Sequence, residues 1–222
     1  MMRHVLSVVL VLVCGSSTEA VIKVDIYYET LCGDSIRFIK DQLVPAYHGL
    51  KDYLDINFVP YGKVKYLQSR PGVLSINCQH GPLEYLGNKA HACALDQIRN
   101  LRGERTAKQS LAVNFVDCAL GRRDPATAAR QCAATLGLNS IDHCLTSEIG
   151  DNLLAACGYQ TRCLNPPLSF VPTIVVDNVY SKANQIAALV DFKQLVRNYI
   201  AAKARRLVNT RLVGNHAYPF FY

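Results

Sequence analysis

The sequence lacks three patterns that would each indicate a function or a location. No two cysteines stand in a Cys-x-x-Cys spacing and the histidines are scattered, so a zinc site is a poor interpretation and we expect no metal or cofactor. No Asn-x-Ser/Thr sequon occurs, so N-glycosylation is not expected. After the first twenty residues, no apolar run approaches the length of a membrane span. What the chain does have is sulfur, in nine cysteines over 222 residues.

Residues 1–20 have the pattern of a signal peptide. Arg3 and His4 form a short basic start, Val5 to Val13 form an apolar stretch, and small residues around Ala20 offer a cleavage site. The apolar stretch is too short to cross a bilayer as a stable helix. We therefore expect a mature chain that begins near Val21 and follows the secretory pathway, to be secreted or delivered to endosomes and lysosomes.

Export accounts for the cysteine content. Cys14 would leave with the signal peptide, and most of the remaining eight should be paired in an oxidising compartment. Cys157 and Cys163 are close enough in sequence to pair, but the connectivity stays open. Seven cysteines are candidates for structural disulfides: Cys78, Cys93, Cys118, Cys132, Cys144, Cys157 and Cys163.

The net charge of +7 is partly concentrated near the end of the chain, in Lys203, Arg205, Arg206 and Arg211. Such a tail is compatible with an anionic surface, but a solvated helix end explains it better because basic side chains complement the helix dipole. No nucleic-acid motif accompanies the charge, and no nucleic-acid partner is expected.

The eighth cysteine, Cys32, stands where the hydrophobic period changes. Ile22, Val24 and Ile26 alternate with charged residues and predict a strand with one face more buried than the other. From Ser35 to Tyr47 the apolar spacing is helical, and Pro45 is expected to bend or end that helix. Cys32 therefore precedes a helix N-terminus, where the backbone dipole favours the thiolate, the reactive form of the side chain.

The remaining chain predicts an α/β protein with an inserted helical block. Six segments follow in order. They are a second strand parallel to the first (54–60), a turn-rich stretch (61–72), a helical region punctuated by glycines (84–159), a third strand (170–176), a short return strand (179–180) and a final helix (184–207). This is the order of a thioredoxin-like sheet, giving a domain over 21–207 with an insertion at about 84–160 and a tail over 208–222.

This order of elements explains the position of Pro172. A proline leading into a central strand is badly placed unless the Val171–Pro172 peptide bond is cis, in a tight loop. In thioredoxin-like folds such a loop lies beside the active sulfur and presents backbone to an extended substrate chain. We therefore predict a cis bond, with Val171 and Pro172 contacting substrate; a simple strand-start proline is the alternative.

The segment Cys78-Gln79-His80-Gly81-Pro82-Leu83-Glu84-Tyr85-Leu86-Gly87-Asn88-Lys89-Ala90-His91-Ala92-Cys93 resembles the signature of the gamma-interferon-inducible lysosomal thiol reductase family. Every fixed position of the signature matches except one, where Tyr85 replaces the family's middle cysteine. The resemblance implies a thioredoxin-like fold with a helical insertion, and reduction of disulfides in acidic endosomes and lysosomes. His80 is expected to brace the turn of this segment and not to catalyse.

The family's redox pair is Cys-x-x-Cys, and by position it corresponds to Cys32 and Ser35. The resemblance implies that both act at the catalytic site, but Ser35 has only a hydroxyl to offer the Cys32 thiolate as a hydrogen-bond donor. Cys32 would then work as a monothiol on disulfide-bonded proteins or a thiol-bearing partner, with release by a small external thiol. The alternative is a redox-impaired binding protein. Asp34 is expected to oppose ionisation of Cys32.

The number of cysteines favours a free Cys32. If Cys32 is unbridged, seven mature cysteines remain, and one of them must lack a partner. Tyr85 explains this, because it replaces a cysteine of the family signature and so leaves the partner of that cysteine unpaired. The competing interpretation pairs all eight and ties Cys32 into a disulfide, which would exclude thiol chemistry.

Overall fold

The structure is a computed structural model that describes residues 21–70 and 73–214, without the side chains of 66–76 and of those beyond 206. The expected signal peptide lies outside the described residues. The described strands are β1 (Ile22–Tyr28), β2 (Leu54–Pro60), β3 (Lys65–Arg70), β4 (Val73–Asn77) and β5 (Thr173–Val176). The described α-helices are α1 (Gly33–Arg37), α2 (Val44–Leu50), α3 (Pro82–Asn100), α4 (Arg105–Ala119), α5 (Pro125–Thr135), α6 (Asp142–Thr146), α7 (Glu148–Arg162) and α8 (Lys182–Gly214).

The central sheet has the strand order β2-β1-β5. β1 and β2 are parallel, with Ile22 opposite Leu54, and β5 is antiparallel to β1, with Val24 opposite Val176. The predicted parallel βαβ unit is thus confirmed. The face of β1 with Ile22, Val24 and Ile26 is fully buried and the Lys23 side chain on the other face is 41% exposed, as predicted, although Asp25 on that second face is buried and accepts a hydrogen bond from Asn57 Nδ2 at 2.8 Å.

The stretch predicted to be only turn-rich contains a β-hairpin. β3 and β4 pair antiparallel as a two-stranded sheet separate from the central one. The pairing shifts register between Gln68 and Arg70, beside Pro71 and Gly72, which lie outside the described residues. Turn residues dominated the sequence pattern there and concealed two short strands.

The helical segment after Cys32 continues through Pro45 to Leu50, so the prediction that it ends at Pro45 is wrong, whereas a bend there stays a prediction. Between α1 and α2, residues Phe38–Leu43 are π-helical, and the amide of Val44 donates to the carbonyl of Ile39, five residues earlier. Pro45 occupies the first turn of α2, where a missing N–H is tolerated because the local bonding is already that of a π-turn.

The predicted helical block is confirmed by α3 to α7, and two disulfides staple it. Cys93 on α3 is bonded to Cys144 on α6, and Cys118 on α4 to Cys132 on α5. The other three candidates are not bridged: Cys78, Cys157 and Cys163 are free. Six residues turn an α-helix by about 600°, so Cys157 and Cys163 project about 120° apart around α7 and its C-terminal cap, which explains why the suggested pair does not form.

The end of the chain departs from the prediction in two places. No return strand forms at Val179–Tyr180; Asp177 and Asn178 adopt positive φ values of 49° and 63°, and Val179 makes only an isolated bridge with Val176. The last helix, α8, begins at Lys182, is interrupted by non-helical backbone at Asp191, and extends to Gly214 into the expected tail. Lys203 contacts Asp177 at 2.8 Å, so this cation is paired within the fold.

None of the helices in the described part of the chain combines the length and the apolar character that a membrane span requires.

Candidate functional site

Cys32 lies at the junction of β1 and α1, as the sequence predicts. It is the N-cap of α1, with extended backbone at φ −71° and ψ 118°. Its amide donates to the Glu29 carbonyl at 3.3 Å, and its own carbonyl accepts from the Ile36 amide at 3.0 Å. The turn that follows the strand therefore holds Cys32 by backbone hydrogen bonds at both its N–H and its carbonyl.

The thiol of Cys32 is unbridged and contacts the loop of Pro172. Cys32 is 7% exposed, and its Sγ donates to the Val171 carbonyl at 3.6 Å. The Val171–Pro172 peptide bond is cis, which confirms the prediction. The Asn165–Pro166 bond is also cis, which no sequence pattern indicated. The structure thus brings together three of the four predicted site residues, Cys32, Val171 and Pro172.

Buried Gln185 of α8 holds the Pro172 loop in place. Its Nε2 donates to the Pro172 carbonyl at 3.0 Å, and its Oε1 accepts from the Ile174 amide at 2.8 Å. One amide side chain therefore satisfies the backbone on both sides of Thr173. The Val171 carbonyl faces Cys32 Sγ. At this position the backbone of the loop could contact an extended peptide.

The loop of residues 29–32, which ends at the Cys32 thiol, is called the thiol loop. Ser35, the fourth predicted residue, follows this loop in α1 and is fully buried. Its Oγ accepts a hydrogen bond from the Glu29 amide at 3.5 Å. Between these two described residues there is no hydrogen bond from Ser35 Oγ to Cys32 Sγ. The hydroxyl therefore braces the loop in this state, and its donation to a thiolate stays a prediction.

Asp34 lies two residues after Cys32, in the first turn of α1. Its carboxylate is 69% exposed and pairs with Arg37 at 3.1 Å. Water and the guanidinium both screen its charge. The pair borders a groove of about 310 Å³ beside the Pro172 loop, lined by Asp34, Arg37, Phe38, Asp41, Gln42, Phe170, Val171, Pro172 and Leu189.

The signature segment braces the thiol loop from the side of α3. The Thr30 amide donates to Asn88 Oδ1 at 3.0 Å, and the Thr30 hydroxyl donates to the Glu84 carbonyl at 3.4 Å. A Cβ on Gly87 would lie 2.5 Å from Thr30 Oγ1, so this close approach requires glycine. Sequence reasoning assigned no role to Thr30 or Asn88, although Asn88 is a fixed position of the signature and could have been singled out.

Two buried glutamates and one histidine form a cluster beside this loop. His80 Nδ1 lies 2.5 Å from Glu84 Oε2 and 3.4 Å from Glu29 Oε2, and the His80 amide donates to Glu84 Oε1. Glu29 Oε1 accepts from the Lys63 amide at 2.6 Å. Burial raises the pKa of Glu29, and the nearby charge of Glu84 adds to the effect. His80 thus braces the turn as predicted, whereas Glu29 was missed.

Two of the other free cysteines are poor nucleophiles. Burial, with the charges of Glu84 and Glu29, raises the pKa of Cys78 to about 12, and burial raises the pKa of Cys157 to about 11. A higher pKa means a smaller thiolate fraction at any physiological pH. Cys163 is exposed at the end of α7 and does not lie in the groove beside Pro172.

Comparison with known proteins agrees with this arrangement. Residues 23–136 match the family model of gamma interferon inducible lysosomal thiol reductase. The chain is 33% identical to GILT-like protein 1 of Drosophila melanogaster, over 89% of this chain and 82% of that protein. It is 35% identical to a gamma-interferon-inducible lysosomal thiol reductase-like protein of Anopheles gambiae, over 79% of this chain and 75% of that protein.

A solved structure supports the fold independently of close sequence similarity. A candidate protein disulfide isomerase from Nitrosomonas europaea superposes with a TM-score of 0.50 at 12% identity, over 82% of this chain and 98% of that one. The fold is therefore thioredoxin-like, with a helical insertion between its two halves. On the family match and the identity to its relatives, the chain belongs to the gamma interferon inducible lysosomal thiol reductase family.

Proposed function

We propose that the protein is a thiol–disulfide oxidoreductase that works as a monothiol through Cys32. The observation that carries the proposal is the position of Cys32 Sγ, unbridged at a strand–helix junction and 3.6 Å from the carbonyl of Val171. Family membership and the thioredoxin-like fold support the reaction class. Ser35 has no thiol with which to release the substrate from Cys32, so release requires an external thiol.

In the first step, the Cys32 thiolate attacks one sulfur of a substrate disulfide. A bond forms between Cys32 Sγ and that sulfur, and the other substrate sulfur leaves as a thiolate. An external thiol such as cysteine or glutathione then attacks Cys32 Sγ and releases the second substrate sulfur. A second external thiol frees Cys32, so that one substrate disulfide and two small thiols become a substrate dithiol and one small disulfide.

The groove beside Pro172 suits an extended substrate chain. Phe38, Phe170 and Leu189 offer apolar surface, and the Arg37–Asp34 pair lies at its border. Cys32 is only 7% exposed and is not among the residues that line the groove, but its Sγ contacts the carbonyl of Val171, which does line it. The substrate class is therefore an unfolded or extended protein segment that carries a disulfide.

We place this activity on the secretory route, in the extracellular space or in endosomes and lysosomes. Two disulfides between helices are typical of proteins that fold in an oxidising compartment. The signal-like pattern over residues 1–20 and the family's lysosomal name support the same route.

Thiol labelling combined with trapping tests the proposal. The non-reduced protein is alkylated at pH 5 and pH 7, and the Cys32 peptide is followed by mass spectrometry. We expect Cys32 to react faster than Cys78 and Cys157, and a disulfide-bearing peptide to form a mixed disulfide with Cys32 that a small thiol releases. Cys32→Ser should abolish the adduct, whereas the matched control Cys163→Ser should leave it unchanged.

A redox-impaired binding protein is the second candidate, and the low exposure of Cys32 together with Ser35 favours it. If Cys32 reacts no faster than the buried Cys157, and no mixed disulfide forms at either pH, the monothiol enzyme is ruled out. Retention of an unfolded peptide by Cys32→Ser protein would then support binding without exchange.

A further inference from the structure

The cluster of Glu29, His80 and Glu84 holds one imidazole between two buried carboxylates. The ligand atoms of the three side chains all lie within 4.8 Å of one another. The two glutamate side chains are fully buried, and His80 is 33% exposed, so the cluster can be reached from solvent on the histidine side. Three separate segments supply the residues: the end of β1, the turn after β4 and the start of α3.

The hydrogen bonds within the cluster leave one carboxylate oxygen without a partner. His80 Nδ1 is hydrogen-bonded to Glu84 Oε2, and Glu29 Oε1 accepts a hydrogen bond from the Lys63 amide. Glu29 Oε2 is buried and makes no hydrogen bond, although it lies 3.4 Å from His80 Nδ1. A buried carboxylate oxygen without a donor is costly, and one imidazole supplies at most one positive charge against two carboxylates.

We propose that Glu29, His80 and Glu84 form a binding site for a divalent cation of the zinc class. The donors would be Glu29 Oε2, His80 Nδ1 and Glu84 Oε2, which is the nitrogen-plus-carboxylate set that zinc accepts, with water in the fourth position. This site uses no cysteine and is independent of the monothiol reaction.

One ligand-to-ligand distance already agrees with a small tetrahedral ion, and a second has to lengthen. Ligands at about 2.1 Å from zinc in tetrahedral directions lie roughly 3.4 Å from each other. The separation of Glu29 Oε2 and His80 Nδ1 has this value, 3.4 Å. His80 Nδ1 and Glu84 Oε2 are hydrogen-bonded at 2.5 Å and must separate by about 1 Å as the ion replaces the proton between them.

The surrounding backbone gives the cluster a fixed frame. Gly62 has a φ of 61°, and a Cβ there would collide with the Glu29 side chain, so a glycine backbone closes one side of the cluster. The Glu29 amide and carbonyl are themselves bonded to Ser35 and Cys32. The site therefore adjoins the thiol loop through the backbone of Glu29.

Cobalt titration of the full chain, freed of metal by a chelator, tests the proposal. Co²⁺ is used because its spectrum distinguishes thiolate ligands from nitrogen and oxygen ligands. We expect one equivalent of Co²⁺ to produce visible d–d absorption without a thiolate-to-cobalt charge-transfer band, and Zn²⁺ to displace it. Cys32→Ser and Cys78→Ser should bind Co²⁺ as the wild type does.

His80→Ala should weaken Co²⁺ binding about tenfold or more, and the nearly isosteric Glu29→Gln should do the same. The matched control is His143→Ala, which removes an exposed histidine from another helix. Circular dichroism of each variant verifies that the fold is retained. The proposal is overturned if wild-type protein shows no saturable site, if the spectrum shows thiolate ligation, or if folded His80→Ala and Glu29→Gln bind as tightly as wild type.

Discussion

Cysteine has opposite roles in the two regions of this protein. In the helical block, Cys93, Cys144, Cys118 and Cys132 are consumed in two disulfides that join helix to helix. In the thioredoxin-like part, Cys32 is about as buried as Cys93 and Cys132 but has no sulfur partner, and its thiol contacts a backbone carbonyl. The two regions meet along α3, whose signature residues brace the thiol loop at one end and whose Cys93 is bridged further along.

The difference shows that burial does not decide what a cysteine does; the neighbouring group does. Cys93 and Cys32 are 3% and 7% exposed, respectively, yet only Cys93 faces another sulfur. At position 35 the fold places a hydroxyl, which cannot close a disulfide with Cys32. The same residue type is therefore cross-linked in one region and left as a free thiol in the other.

Removing the disulfide between α3 and α6 should have the largest effect on stability. Cys93 and Cys144 are 51 residues apart, and loss of a cross-link over such a loop costs about 4 kcal/mol in a loop-entropy estimate. The double variant Cys93→Ala/Cys144→Ala should lose this from its free energy of unfolding in urea. The control Cys163→Ala, an exposed unbridged cysteine, should change it by less than about 0.5 kcal/mol.

Giving the thiol region a second sulfur should convert it into a dithiol reductase. In Ser35→Cys, the new thiol can attack the mixed disulfide intramolecularly, which gives a high effective concentration compared with an external thiol. We expect turnover of a protein disulfide at micromolar external thiol to rise on the order of 100-fold. Reduction of a fluorescent disulfide-linked peptide measures it.

Ser35→Ala is the matched control for that gain. It removes the hydroxyl without adding a thiol, so turnover should stay near the wild-type value. If Ser35→Cys forms a disulfide between Cys32 and the introduced cysteine but shows no increase in turnover, the site is not a working exchange centre and the binding alternative is strengthened.

His91 lies on α3, where the two regions meet, and it should make the free energy of unfolding decrease as the pH falls. His91 is fully buried against Tyr28 and Phe115, and burial lowers its pKa from 6.5 to about 3. The unfolded chain therefore binds a proton below pH 6.5 that the folded chain excludes, so this stability is complete above pH 6.5 and is lost as pH falls toward 3. Between pH 7 and pH 5 the loss is about 2 kcal/mol.

Urea unfolding of His91→Gln at both pH values isolates this contribution. The variant should lose about 2 kcal/mol less than wild type on acidification, whatever its stability at pH 7. The exposed control His143→Gln should follow the wild type. Equal acid losses in His91→Gln and wild type would show that His91 does not exclude the proton.

Much of this comparison was predictable from sequence, because local signals agreed with each other. The change of hydrophobic period at Cys32 and the order of elements located the thiol and the cis bond before Pro172. The cysteine content gave seven candidates for structural disulfides, and four of them are bridged. The signature segment identified the family, although it gave no indication that Thr30 and Asn88 would be bonded to one another.

What sequence could not supply depends on contacts between distant residues. Gln185 reaches the Pro172 loop from α8, and Glu29 joins His80 and Glu84 across more than fifty residues. The β3–β4 hairpin was hidden because turn residues outweighed two short strands. The suggested Cys157–Cys163 pair failed because closeness in sequence is not closeness around a helix.

Tyr85 should have the smallest effect among these tests, although it replaces a cysteine of the family signature. Its hydroxyl donates to Asp151 at 2.6 Å, linking α3 to α7, and Lys89 contacts the same carboxylate at 2.8 Å. These two donors hold the pKa of Asp151 below its usual range. Because Asp151 is half exposed, Tyr85→Phe should cost only about 1 kcal/mol at pH 7 in urea unfolding. Tyr159→Phe, an exposed tyrosine on α7, is the matched control and should be neutral; if both variants are equally stable, a polar contact does not replace the missing cysteine here.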